Sequence, residues 1–204
     1  MVSTPMTAAM VTAALEATAS KIRPKDMDPF RKGDAVVYPA HGVGRIESVG
    51  VEEIAGHKLN LIRISFAENE MTLRVPVAQA RAAGLRKLAS EKELADALIK
   101  LKSPPRVSRL MWAKRAQEYL AKINSGELEA LAEVVRDLQA AGDGSGSSFS
   151  QRNLFELARD RLAAEYAAIN HTSKAEAVEQ LHQVLLEARA SVDQAGHRTP
   201  KVVT

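Results

Sequence analysis

The residues best able to act on a partner lie between Arg106 and Lys122, in the run RVSRLMWAKRAQEYLAK. It holds the single tryptophan, Trp112, among Arg106, Arg109, Lys114, Arg115 and Lys122, with Glu118 the only acid. A flat indole beside cations suits a polyanion that carries rings. The cations would sit on phosphates and the ring against bases or in a groove. Read at helical spacing, Leu110, Ala113, Ala116 and Leu120 supply a buried face. Trp112 then falls to the side shared by Arg109 and Arg115, facing outward. The plainer alternative is that Trp112 packs on a neighbouring domain, because a large ring is costly to leave in water.

Other chemistries find little support in the sequence. There is no cysteine, which excludes disulfides and thiolate metal sites. The histidines at 41, 57, 171, 182 and 197 show no metal-ligand spacing and read as turn or surface residues. Gly42-Val43-Gly44 lacks the third glycine of a dinucleotide loop, since Glu47 stands there, and no GKS or GKT occurs. No nucleophile, base and orienting acid can be assembled from the scattered candidates. The expectation is a protein with no catalytic residues, no metal and no cofactor. A net charge of +3 is too small to name a partner, although a pI near 9.2 favours an anionic one. No apolar run reaches the length of a membrane span, and Met1–Ser20 lacks a cationic start and contains Glu16, unlike a secretory signal. The expected setting is the reducing cytoplasm.

The elements that must position these residues fall into two textures. Residues 1–27 are small and polar, and read as a disordered extension. From Phe30, short apolar runs alternate with glycine turns. Ala35–Tyr38, Arg45–Ile54, Leu59–Phe66 and Met71–Val75 read as strands, the third with Ile62, Ile64 and Phe66 on one face. Pro76 ends the last. So many short strands in one small unit predict a strongly bent antiparallel barrel. At Ser90 the period changes to 3.6 residues. Ser90 with Glu93 forms a capping box, and Leu94, Ala97, Leu98 and Leu101 form a stripe. The tryptophan helix follows, closing at Asn124-Ser125-Gly126. A third helix over 127–140 carries an acidic face of Glu127, Glu129, Glu133 and Asp137, read as solvated, with Arg136 paired to Glu133 at the surface. After the loop Ala141–Ser148, Ser150 is read as the cap of a fourth helix striped by Phe155, Ala158, Leu162, Tyr166 and Ile169. Ser173 and Glu176 cap a fifth, and the tail beyond Ser191 reads as frayed. Helices this short must bury their stripes on one another in one bundle. The fold class is therefore α+β. A small antiparallel barrel (28–89) precedes a compact bundle of about five helices (90–191), with 192–204 as a tail.

GDAVVYPAHGVGRIESV, EIAGHKLNLIRISF and MTLRVPVAQARAAGLRKL resemble the polymerase-interacting domain of the CarD/CdnL transcription-factor family. WAKRAQEYLAKINSGELEALAEVVRDL and FSQRNLFELARDRLAAEYA resemble the same family's C-terminal helical domain, so the likeness spans roughly 28–170. The first unit is also similar to the polymerase-binding module of transcription-repair coupling factors, although this chain has no phosphate loop. The resemblance implies a Tudor/SH3-like barrel that docks on the RNA polymerase β subunit, partly by edge-strand pairing. It implies a contact from Arg74, and a bacterial regulator associated with the nucleoid through polymerase. Glu52 departs from the family pattern, because some members carry a polymerase-contacting arginine there. The resemblance further places Trp112, with Lys114 and Arg115, at the upstream edge of melted promoter DNA; Arg109 is added by helical geometry. It implies stabilisation of the open complex by a monomer, without strong sequence preference and with no membrane or small-molecule partner. The competing expectation is a protein–protein adaptor without DNA contact, its tryptophan buried between domains.

Overall fold

The computed structural model describes residues 30–54, 56–68, 70–106, 110–142 and 148–196, with backbone alone at 140–142 and 191–196. The expected extension over 1–27 and the last residues of the tail lie outside this set, as does the middle of the loop at 143–147.

The glycine-punctuated segment folds as strands β1 (Ala35–Tyr38), β2 (Gly42–Ile54), β3 (His57–Phe66) and β4 (Met71–Pro76). A single-turn helix α1 (Val77–Ala80) and the two-residue strand β5 (Arg86–Lys87) follow. The sheet is antiparallel throughout, in the order β4-β3-β2-β1-β5. The alternation in β3 works as its pattern requires: Ile62, Ile64 and Phe66 are buried with Val36, Ile46, Val75 and Leu85 in one apolar cluster. Gly44 is needed where β2 crosses β3, because a Cβ there would meet Ile64 Cγ2 at 2.7 Å and Ser65 O at 2.9 Å. Between Ile46 and Ser48 the β2–β3 register shifts, so Glu47 is bulged out. The expected closed barrel is instead an open, bent sheet. Its end strands β4 and β5 do not pair, since α1 turns the chain away after Pro76 and β5 is only a two-residue strand on β1.

The helical half comprises α2 (Glu91–Lys102), α3 (Trp112–Ser125), α4 (Leu128–Gly142), α5 (Phe149–Asn170) and α6 (Lys174–Gly196). Both bonds of the Ser90/Glu93 capping box are made, as are those of Ser173/Glu176. The cap of α5 is Ser148, which accepts from the Gln151 N–H, and not Ser150. Helix α6 runs on to Gly196, into the first residues of the segment expected to fray. Helix α4 is central, with α2, α3 and α5 against it. Its supposed solvated face is therefore partly interior. Arg136 and Asp137 are buried, and Arg136 Nε donates to Asp137 Oδ1 at 2.7 Å. Glu133 pairs instead with Lys122, at 2.7 Å.

The phase of the tryptophan helix also differs from its expected one. Its buried residues are Tyr119 and Ile123, with Ala116 and Trp112 partly buried on the same stripe. Leu110 and Leu120 are more than two-fifths exposed, and Ala113 is exposed. Alanines contribute little apolar area, so the larger Tyr119 and Ile123 decide which face turns inward. Positions 112, 116, 119 and 123 lie within an arc of about 60° on a helix. Trp112 is thus the outermost member of the buried stripe, and not its opposite.

Candidate functional site

Helix α3 begins at Trp112, and the described residues before it, 103–106 and 110–111, are not helical. Ser103 closes α2 by bonding Lys100 O, and Pro104-Pro105 prevents its continuation. The N-cap Met111 makes no side-chain cap bond and the first turn of α3 holds no acid. The first turn of α5 also lacks an acid. The two helix starts meet, for Trp112 Nε1 donates to Ser150 Oγ at 3.1 Å. Ser150 therefore orients the indole, a role that its reading as a cap concealed. The positive ends of two helix dipoles converge at one ring, with no carboxylate in either first turn to offset them.

Trp112 is half-buried, one side against the helical core. The Arg115 guanidinium lies 5.5 Å from the centre of its ring, within cation–π range. Lys114 is exposed, one residue round from the stacked arginine. Met111, which precedes the tryptophan, and Phe149, which precedes Ser150, are each more than 70% exposed. Three of the four expected DNA-facing residues thus sit on the first turn of α3; Arg109, the fourth, lies outside the described residues. Midway along the helix, Tyr119 is buried deeply enough to hold its phenol above the usual range. The ring is not in the seam between the two halves. That seam runs along α5 against β2 and reaches α3 only at its C-terminal end, around Gly126, about 21 Å along the helix from Trp112.

Arg74 belongs to a second surface, on edge strand β4. It is 54% exposed and faces Arg63 across the β3–β4 ladder. Glu52 joins them, 3.0 Å from Arg63 Nη2 and 3.6 Å from Arg74 Nε. The acid that departs from the family pattern is therefore the internal counter-ion of the residue expected to dock.

A third group had no expectation attached. Glu165, 1% exposed, takes a two-point ion pair from Arg86 of β5 at 2.6 and 2.7 Å. Its sequence signal was a lone acid in the small apolar run Leu162–Ala168. Among the described residues no group of three or more metal-binding side chains occurs, and no helix is long and apolar enough to cross a membrane.

Comparison with known proteins matches the two halves separately. Residues 30–89 match the family described as the CarD-like/TRCF RID domain, and residues 96–182 match the CarD C-terminal domain. The chain is 27% identical over 140 residues to the Bacillus subtilis (strain 168) protein named "Putative transcription factor YdeB", covering 69% of this chain and 92% of that one. It is also similar to the 72-residue N-terminal domain of Myxococcus xanthus CarD, solved in solution. The match is 38% identical over 28% of this chain and 77% of that one, with a TM-score of 0.25. The matched spans hold Arg74 in the first half and Trp112 in the second, and together they place the chain in the CarD/CdnL family of RNA polymerase-interacting transcription regulators.

Proposed function

We propose that the protein docks on the RNA polymerase β subunit through its sheet half and holds Trp112 at the upstream fork of the promoter bubble, stabilising the open complex. One observation carries this reading. Trp112 is fixed at the junction of two acid-free helix starts, beneath Arg115 and beside Lys114, with part of the ring left exposed. Cations and helix N-termini hold phosphates without reading sequence. The flat, partly exposed ring supplies a surface on which an unstacked base can rest. Reannealing of the fork would then have to displace it.

One such contact contributes about 1–3 kcal/mol. That changes an open-complex lifetime by roughly ten- to a hundredfold and leaves affinity for free duplex weak. Docking supplies the rest by raising the local concentration. Arg74 serves the docking side, on an edge strand whose free backbone groups suit strand pairing. The regulator needs no catalytic residue, metal or cofactor for this, and acts as a monomer. The adaptor reading loses ground because Trp112 lies away from the seam. The deciding experiment is single-round transcription with permanganate footprinting of the bubble. Trp112→Ala should bind core polymerase as before and shorten the open-complex lifetime about tenfold or more. A lifetime unchanged at saturating protein would overturn the proposal.

A further inference from the structure

Two arginines grip the C-terminal end of the tryptophan helix. Arg86, from edge strand β5, donates to Gly126 O from Nε at 2.8 Å and also from Nη2, while its guanidinium pairs with Glu165 of α5. Arg161 of α5 donates to Ile123 O at 3.1 Å and to Ala40 O at 3.3 Å. Cations at a helix C-terminus meet its unsatisfied carbonyls and the negative end of its dipole. Glu165 in turn accepts from the Ala89 N–H at 2.9 Å, so the link between sheet and bundle is tied to the same carboxylate. Pro39 closes the contact. A Cβ on Gly126 would meet Pro39 Cγ at 2.9 Å, and Gly126 has φ of 73°. Sheet and bundle thus meet around this charge-compensated point, and α5 also packs along β2 while Lys174 of α6 pairs with Glu68 at 2.8 Å.

Trp112 stands at the far end of this arrangement. Over about 21 Å of helix, a tilt of about 10° at the seam carries the ring about 4 Å, more than the thickness of a stacked base. A buried ion pair contributes little net stability but imposes a single geometry when fully satisfied. We infer that Arg86 and Glu165 are positioning residues: their ion pair holds the bundle at one angle to the docking sheet, and that angle delivers Trp112 to the fork. The functional half of this inference rests on the wedge reading above.

The absence of cysteine makes the test direct. Lys58→Cys on the β2–β3 hairpin and Gln117→Cys on α3, both exposed sites, take spin labels in the full-length chain. Pulsed dipolar spectroscopy then reads the distance between the halves. The parent should give one narrow peak. Arg86→Lys keeps a cation beside Glu165 but cannot fork between that carboxylate and Gly126 O. It should stay folded, bind core polymerase with parental affinity, broaden the distance distribution at least twofold and shorten open-complex lifetime at least threefold. Glu165→Gln, which keeps the side-chain shape, should do the same and serves if the lysine variant does not fold. A purely structural role would lower the melting temperature and leave the distance peak narrow in the folded fraction. An unchanged peak in either folded variant overturns the inference. So does a broadened peak with parental lifetime, where Trp112→Ala shortens it. If Trp112→Ala has no effect, the wedge reading fails by itself. The angle-setting role is then decided by the distances alone, broadening upholding it and an unchanged peak overturning it.

Discussion

Glu52 lies across Arg74, its Oε2 3.6 Å from the guanidinium Nε, while its other oxygen holds Arg63 at 3.0 Å. Arg63 and Arg74 are direct partners in the β3–β4 ladder, where like charges opposite one another are unfavourable. The acid offsets that repulsion, and in doing so occupies the cation proposed to dock. Exposed pairs of this kind are worth about 0.2–1 kcal/mol. Glu52→Gln should therefore tighten binding to core polymerase by up to about fivefold, whereas Arg74→Glu should weaken it. The two residues should be coupled: in an Arg74→Gln background, Glu52→Gln should no longer tighten binding. Titration of the four proteins against immobilised core polymerase measures this. An equal gain with and without Arg74 would show that Glu52 acts on polymerase by another route.

The chain leading into Trp112 is held from beneath by a buried pair on α4. Arg136 Nη1 donates to Ser103 Oγ at 2.7 Å, and Asp137 Oδ1 accepts from the Arg106 N–H at 3.1 Å as well as from Arg136. Removing one partner of a buried pair leaves the other uncompensated, at a cost of about 3–5 kcal/mol. Arg136→Met should lose that much in urea unfolding. The double variant Arg136→Met/Asp137→Leu should lose clearly less than the sum of the two single changes, because no orphan charge remains. Its residual loss, about 1–3 kcal/mol, is the Arg106 N–H left without an acceptor. Strict additivity would mean that the two side chains act on the fold separately.

What the sequence disclosed and what it hid divide along physical lines. The capping boxes at Ser90/Glu93 and Ser173/Glu176 were legible because they are local and complete within one turn. The inward face of β3 was legible because Ile62, Ile64 and Phe66 outweigh their neighbours. The phase of α3 was not, since its alanines mark no face and Tyr119 reads as readily outward as inward. Treating Trp112 as a free ligand also turned the predicted helix by about a quarter-turn. Arg136, Asp137 and Glu165 were misread or passed over for one reason: charged residues are expected outside, and beyond the Arg136–Asp137 pair itself it is partners 31 to 79 positions away that make their burial affordable. Sheet closure likewise depended on where α1 sends the chain, which no alternation pattern records. The types and cationic setting of the candidate residues could be read directly; the ring's partner, Ser150, could not.

Lys122 on the tryptophan helix bonds Glu133 of α4 at 2.7 Å, with Lys100 Nζ 3.7 Å from the same carboxylate. The Lys122 hydrogen bond, ahead of the surrounding positive charge, holds the Glu133 carboxyl below its ordinary range. A carboxyl whose folded value is depressed stabilises the fold above its unfolded value, about 4.3 for glutamate, and loses that stabilisation as pH falls through the folded value. Because both side chains are partly solvated, the pair is worth about 0.5–1 kcal/mol. Lys122→Met should be less stable than the parent by that amount at about pH 7, and the gap should narrow once pH falls below the unfolded value and close as it passes through the depressed folded value. Glu93 and Glu176 are also depressed, chiefly by the backbone N–H groups of Ser90 and Ser173, so both proteins will lose stability in acid. That common loss cancels in the difference between them. Urea midpoints measured across this range isolate the pair. A gap that stayed constant as far into acid as the parent remains folded would assign the contribution of Lys122 to the packing of its aliphatic stem between α3 and α4, and the charge would have no part in holding the tryptophan helix.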